Sequence, residues 1–228
     1  MSYHTTAIIV PVLNEAKLIR ARLPYFQQLK NISELIFVDG GSRDGSAEQL
    51  RRHGHIVLDS SQASHRGAQL ATGIRYTDKP IICMHHCDTV LPTDALTAIG
   101  NGLDSHVWGR FDIKIDHSLW SFRIIETLIN WRSCFSAIAT GDQCIFARRD
   151  YLQPLLAALD DHPLMEDILL SRQLRKHSRP ACLSMQVTTS ARYWLKHGIC
   201  TSIVTMWWLR LQYFCGRSAH HLYLKYYR

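Results

Sequence analysis

A chain of 228 residues with a 46% apolar fraction can bury a substantial core without covalent staples. Seven cysteines, an odd number at irregular spacing, argue against a disulfide framework and for a reducing compartment. The net charge of +7 is spread over a sequence with no repeat, linker or low-complexity tract, so residues 1–228 read as one domain.

The start, Met1 to Thr6, is polar, and the β-branched run after it, Ala7 to Val10, is too short for the apolar segment of a secretory leader. Cytosolic synthesis and retention are expected. That run reads as a strand and ends in Pro11-Val12-Leu13-Asn14-Glu15. Asn14 is placed to cap a helix reaching about Gln28, with Leu18, Leu23 and Phe26 at roughly helical spacing. Leu35-Ile36-Phe37 is a buried strand or a short piece of helix, strand being the better reading, and it leads into Val38-Asp39-Gly40-Gly41-Ser42-Arg43-Asp44-Gly45. Glycines that let backbone amides approach a ligand, a capping hydroxyl and two carboxylates suit a nucleotide site. The same residue types also make an ordinary capped turn.

The alternation continues with a strand at Ile56 to Leu58, a helix around Gly67 to Tyr76 and a strand at Ile81 to Met84. Strand following helix in this way implies an α/β fold with a mostly parallel sheet covered on both faces, whose ligands bind at the carboxyl ends of the strands. The fourth strand ends in His85-His86-Cys87-Asp88-Thr89. On an extended backbone His86 and Asp88 would share a side, and a carboxylate there can hold magnesium or manganese against a diphosphate. A zinc cluster is disfavoured because no second Cys/His pair stands at zinc spacing and Cys83 lies within the strand. Turn and cap chemistry before Pro92 is the plainer alternative. Further on, Gly141-Asp142-Gln143 precedes the apolar run Cys144 to Ala147, as a turn before a strand would. Glu166-Asp167 opens the segment Ile168 to Lys176, where two acids suit the positive end of a helix.

Taken in order, Pro11 to Glu15, Val38 to Gly45, His86 to Thr89, Gly141-Asp142-Gln143 and Met165-Glu166-Asp167 resemble the motif series of family 2 glycosyltransferases, in particular their short single-domain bacterial subgroup. The resemblance runs from residue 7 to the C-terminus. It implies a glycosyltransferase A fold of Rossmann-like type, a nucleotide-diphosphate sugar donor, a divalent metal (Mg2+ or Mn2+) and inversion at the anomeric carbon. It further implies a nucleotide-sugar-binding half at 1–100 and an acceptor and catalytic half at 101–194. Carried over by residue, Asp39 would contact the nucleobase, with Gly40, Gly41, Ser42 and Asp44 in the same nucleotide loop. Pro11, Asn14 and Glu15 would shape the first nucleotide loop, Arg66 and Gln69 would border the nucleotide, and Asp88 would hold metal and ribose with His86 beside it. Gly141, Asp142 and Gln143 would face the acceptor together with Glu166, Arg192 and Trp194, and Asp167 would be the general base. The family's Asp-x-Asp is here His86-Cys87-Asp88, a single carboxylate. The Gln-x-x-Arg-Trp of processive members is replaced by Ser190-Ala191-Arg192-Tyr193-Trp194, which points to a single transfer per encounter.

This chemistry asks for the residues found. Displacing a nucleoside diphosphate needs a base for the incoming hydroxyl and, on the opposite face of the sugar, positive charge for the departing phosphates. Asp167 supplies the first; a metal at Asp88 and Arg192 would supply the second.

The charge is unevenly placed: all 19 acidic residues lie at or before Asp167, and the last 61 residues carry 10 Lys+Arg and no acid. Within that tail Ile199 to Leu211 is apolar with Trp207 and Trp208, and aromatic residues up to Tyr226 and Tyr227 alternate with Arg210, Arg217, Lys225 and Arg228. Residues 195–228 therefore read as amphipathic helices whose partner is an anionic membrane surface at its inner, cytoplasmic side, and a lipid-linked acceptor is favoured. Alternatively Ile203, Met206, Trp207 and Leu211 form the buried face of a terminal helix. Single-stranded nucleic acid also suits basic and aromatic residues, but the acidic N-terminal half and the lack of an RNA-binding signature argue against it. A nucleotidyltransferase would need a glycine-rich run with a basic residue after the first strand, which is missing; a noncatalytic nucleotide-sugar-binding protein is hinted at only by His86.

Overall fold

The computed structural model describes residues 5–63 and 65–226, and of Tyr226 the backbone. The expectations for Met1 to His4, and for Tyr227 and Arg228 of the tail, lie outside the described residues. In chain order the elements are β1 (Thr6–Val12), α1 (Ala16–Ile32), β2 (Glu34–Asp39), α2 (Ser46–Arg52), β3 (Ile56–Asp59), α3 (Arg66–Tyr76), β4 (Ile81–Met84) and α4 (Ala95–Ser105). There follow β5 (Trp108–Asp116), α5 (Trp120–Ser136), β6 (Phe146–Arg148), α6 (Arg149–Leu152), α7 (Leu156–Asp160), α8 (Glu166–Leu174), β7 (Ala181–Ser190), α9 (Arg192–His197), α10 (Ile199–Phe214) and α11 (Ala219–Tyr226).

The seven strands form one sheet in the order β3-β2-β1-β4-β6-β5-β7. All neighbours are parallel except β6, which runs antiparallel to both β4 and β5. Successive side chains of β1 serve opposite faces. Ile8 and Val10 pack with Phe26 and Phe37 on one side, Ala7 and Ile9 with Leu70 and Ile74 on the other. A strand buried on both faces reads as a continuous apolar run rather than an alternating one, as β1 and β2 do. Close contact fixes α3 on β1: a Cβ at Gly73 would stand 2.6 Å from the Ile9 side chain.

Four expectations are corrected. Asn14 does not cap α1; it has φ +56 and Glu15 occupies the cap position, and the helix continues past Gln28 to Ile32 with Pro24 inside it. His86 and Asp88 do not share an extended backbone, because the chain turns after Met84 and Thr89 N–H donates to His86 O at 3.1 Å. Cys134 of α5 and Cys182 of β7 form a disulfide with Cα atoms 5.9 Å apart, a pairing that irregular spacing hides because a helix and a strand 48 residues apart supply the two halves. The terminal helix α10 half-buries Ile203 and Met206 but exposes Trp207 and Leu211, and its fully buried residues are Ser202, Leu209 and Gln212. No helix among the described residues is long and apolar enough to cross a membrane.

Candidate active site

The carboxyl ends of β1, β2 and β4 come together because these parallel strands are adjacent, and the chain spends its polar residues there. Two loops are tied to each other. Asn14 N–H donates to Ser42 Oγ and Arg43 N–H to Asn14 Oδ1, both at 2.9 Å, while Glu15 N–H donates to Ser46 Oγ at 2.9 Å. Asp44 receives Ala16 N–H at 2.9 Å and Ser46 N–H at 3.1 Å, so it caps α1 from across the loop. Burial pushes the Asp44 carboxyl up, but the hydrogen bonds from Ser46 and Ala16 outweigh it and hold the group below its ordinary value. Asp39, buried at the end of β2, accepts from Gly41 N–H at 3.1 Å and Ser42 N–H at 3.0 Å, with Gly41 at φ +93. That left-handed turn is open to glycine at no steric cost.

A second group sits where the tail meets the β4 loop. Arg192 at the start of α9 reaches Glu15 at 3.2 Å and Asp88 at 3.4 Å, so it bridges the loop after β1 and the carboxylate after β4. These two acids raise the Arg192 pKa against the lowering effect of burial.

A third group surrounds Asp167. The turn Gly141–Gln143 leads into β6, and Gly141 N–H donates to Asp167 Oδ2 at 3.2 Å, while Asp167 Oδ1 accepts from Ile168 N–H at the start of α8. Asp142 pairs with His86 Nδ1 at 2.9 Å. Crowding raises the Asp142 pKa, but the hydrogen bond and charge of His86 and the nearby Arg66 and Arg210 bring it below its ordinary value. Glu166 is buried and 3.6 Å from Arg66; burial raises its pKa, Arg66 opposes this and Asp167 adds to it. A narrow cavity is lined by Pro11, Arg66, His86, Gly141, Glu166 and Asp167. Gly141 has no room for a side chain, since a Cβ would stand 2.6 Å from His86 Nε2.

Contacts run from Asp39 through Ser42 to Asn14 and, from the adjacent Glu15, through Arg192 to Asp88; a separate set joins His86 to Asp142 and Gly141 to Asp167. Three expected site residues point elsewhere. Gln69 is buried in the sheet, donating from Nε2 to Val12 O at 2.9 Å and Val38 O at 2.8 Å. Gln143 is likewise buried, donating to Ser133 Oγ at 2.9 Å and Phe111 O at 3.3 Å. Trp194 packs edge-on against Phe122 beside α5. Each is a motif neighbour turned inward.

The motifs do not signal three residues that support the site. Tyr25, mid-helix on α1, meets His85 Nε2 at 3.0 Å and accepts from Leu91 N–H at 2.9 Å, bracing the β4 loop from beneath. Burial, with the charges of His86 and Arg22, pushes the His85 pKa down to about 3, so the imidazole is neutral. Arg132 on α5 has its pKa lowered to about 10, by burial first and then by Arg210, while Asp167 opposes the shift. Tyr25 and Arg132 stand on helices, α1 and α5, outside every motif, and His85 precedes the motif that begins at His86.

A family model described as glycosyl transferase family 2 matches residues 7–152, more than half of the chain. The protein belongs to glycosyl transferase family 2. Solved structures share its glycosyltransferase A fold. A mannosyltransferase from Pyrobaculum calidifontis, solved with GDP-Man and Mn2+, has a TM-score of 0.62 at 18% identity, covering 81% of this chain and 56% of that one. Glucosyl-3-phosphoglycerate synthase from Mycobacterium tuberculosis, with Mn2+, UDP and glucosyl-3-phosphoglycerate, gives 0.58 at 16%, covering 82% and 70%. S. aureus TarS 1-349 with UDP-GlcNAc gives 0.57 at 14%, covering 83% and 58%. The present chain thus spans little more than half the length of the first and third. Among curated proteins no match was found.

Proposed function

We propose that this family 2 member is an inverting glycosyltransferase that moves a sugar from a nucleotide-diphosphate donor to an acceptor hydroxyl, once per encounter. The observation that carries the reading is that the loop after β4 joins two groups: Asp167, held by Gly141 N–H at 3.2 Å in a cavity it shares with His86, and the Glu15–Arg192–Asp88 cluster, whose Asp88 follows two residues after His86. A carboxylate oriented by a backbone amide keeps its second lone pairs for a proton, which suits a base that deprotonates the acceptor hydroxyl. Burial and the Asp167 charge raise the pKa of neighbouring Glu166, and the Arg66 guanidinium opposes them. On the other side, Arg192 is placed to meet charge developing on the departing diphosphate. Asp39 with the Gly40–Ser42 turn is the proposed nucleobase seat, and Asn14 and Glu15 the phosphate-side loop.

The donor set fits a divalent cation that arrives with its nucleotide. Magnesium and manganese take one or two protein carboxylates and complete their shell with phosphate oxygens and water, and Asp88 offers one carboxylate at the cleft. His86 fits less well, because Nδ1 is committed to Asp142 and Nε2 abuts Gly141. No group of three or more metal-ligating side chains occurs among the described residues, so such an ion would depend on the donor for most of its ligands. When bound, it would neutralise the diphosphate as a leaving group. The mannosyltransferase and the glucosyl-3-phosphoglycerate synthase structures carry Mn2+ with their nucleotides, which supports this reading.

Residues 1–100 are assigned the donor and 101–194 the acceptor, with acceptor contacts from Asp142, Glu166 and Arg192. The basic aromatic tail favours a lipid-linked acceptor and a place at the cytoplasmic face of an anionic membrane. A thermal-shift panel of nucleoside diphosphates, with and without Mn2+, tests the core of the proposal. Stabilisation by one nucleoside diphosphate is expected; stabilisation by none, in either condition, would overturn the donor assignment.

A further inference from the structure

Two helices carry large apolar side chains on the side turned away from the core. On α5 the buried Phe122, Ile125, Glu126 and Ser133 define the inward face. Trp120, Ile124, Leu128, Trp131 and Phe135 recur every three or four residues on the opposite face and are 50 to 73% exposed. On α10 polar residues share the buried side: Ser202 and Gln212 lie there with Leu209, and Ser202 Oγ and Gln212 Nε2 have no hydrogen-bond partner among the described residues, while Val204, Trp207, Trp208, Leu211 and Phe214 are 53 to 67% exposed.

Water cannot be the medium this helix is built for. A face of polar residues costs free energy when buried unpaired, and a face of tryptophan, leucine and phenylalanine costs free energy when wet. Ten such side chains, each more than half exposed or close to it, present on the order of 1,000 Å² of apolar surface, beyond the few hundred Å² usual on a monomer.

The two helices meet on their inner sides, which leaves both apolar faces outward. Ile129 of α5 packs in one cluster with Trp194, Ile199 and Ile203, and Arg132 of α5 feels the charge of Arg210 on α10. The rim is positive. Glu126 is the only acid on α5 and is buried, α10 and α11 have none, and Arg123, Arg210, Arg217 and Lys225 stand on these elements and their link. A second copy docked face to face would set like charges against each other, whereas anionic headgroups would neutralise them. Leu209, on the buried side of α10, shares a cluster with Ile168, the neighbour of Asp167, so α10 packs beside the start of α8.

We propose that α5 and α10 together form one interfacial face that seats the protein on an anionic bilayer, with Trp120, Trp131, Trp207 and Trp208 at headgroup level. This rests on the membrane contact proposed for the tail and extends it to a helix outside the tail; it is independent of the transfer chemistry. The test is co-sedimentation of the full chain with vesicles of phosphatidylcholine alone and of phosphatidylcholine with phosphatidylglycerol, together with size-exclusion light scattering. The wild type should pellet with the anionic vesicles only. Trp131→Gln/Phe135→Gln on α5 and Trp207→Gln/Trp208→Gln on α10 should each weaken partitioning by about tenfold or more while circular dichroism stays unchanged. Loss in the α10 pair with full binding by the α5 pair would overturn the joint face and leave a tail contact alone. A dimer that the α5 pair dissolves, without vesicle binding by the wild type, would overturn the membrane as occupant. Nucleoside-diphosphate thermal shifts, expected to be intact in both variants, keep the donor assignment separate from either result.

Discussion

Gln69 separates a structural role from a ligand contact. Its amide nitrogen donates to Val12 O and Val38 O, carbonyls at the carboxyl ends of β1 and β2, and the residue is 4% exposed. Gln69→Leu keeps the volume and removes both donations; Val12 O retains Gly40 N–H at 2.9 Å. Two lost hydrogen bonds and a weakened pair of buried acceptors amount to about 2–4 kcal/mol. For a chain of this length that is a fall in Tm of about 4–16 °C, read by circular dichroism. Gln69→Glu should be worse than Leu, since a buried carboxylate would then face two carbonyls with no donor to offer. Donor affinity should fall only as far as the loosened strand ends disturb Asp39 and Asn14. A Gln69→Leu protein with unchanged Tm and abolished nucleotide binding would refute the reasoning and return Gln69 to the nucleotide's edge.

Asp167→Asn should abolish sugar transfer and leave donor affinity nearly intact by calorimetry, because a base acts on the acceptor; lost donor binding would remove it from that role. Asp88→Ala should weaken donor binding in the presence of Mn2+ and change it little in its absence, and equal loss in both conditions would take the metal out of the account. Acid should destabilise the fold through His85. Its folded pKa of about 3 lies below the ordinary 6.5, so in that window the unfolded chain binds a proton that the folded one does not. Stability then falls as pH drops below 6.5, with a slope approaching about 1.4 kcal/mol per pH unit from this group. The Tm of wild type and His85→Gln should converge on acidification, and parallel Tm-against-pH curves would contradict the burial of a neutral imidazole.

What the sequence made legible is what evolution must place in loops. Val38 to Gly45 and Pro11 to Glu15 stand out because glycines, carboxylates and hydroxyls have no business at the end of an apolar run unless a turn or a ligand needs them. The strand Ile81–Met84 was bounded correctly for the same reason. Pairings across the fold left no such mark. Asn14 looked like a cap because its type caps helices, yet its side chain is engaged by Arg43 N–H from a loop 29 residues away. Gln69 and Gln143 lie near or within recognisable motifs, and nothing in their spacing tells an inward amide from an outward one. Cys134 and Cys182 are joined by the packing of α5 beside β7, which no cysteine count anticipates.

The outer helices show the limit most clearly. A period of 3.6 identifies which residues share a side of a helix, but the sign of that side, core or surroundings, is set by the neighbouring elements. On α10 the period groups Trp207 with Leu211, and the natural inference is a buried face. Packing against α8 and α11 instead buries Leu209, with Ser202 and Gln212 buried on the same helix. On α5 both sides are apolar, Phe122 and Ile125 inward and Trp120, Trp131 and Phe135 outward, so the sequence contains one apolar stripe more than the core can use. A surplus of that kind becomes visible only once the core has been filled, and it is then the best physical ground for asking what lies against the protein when it works.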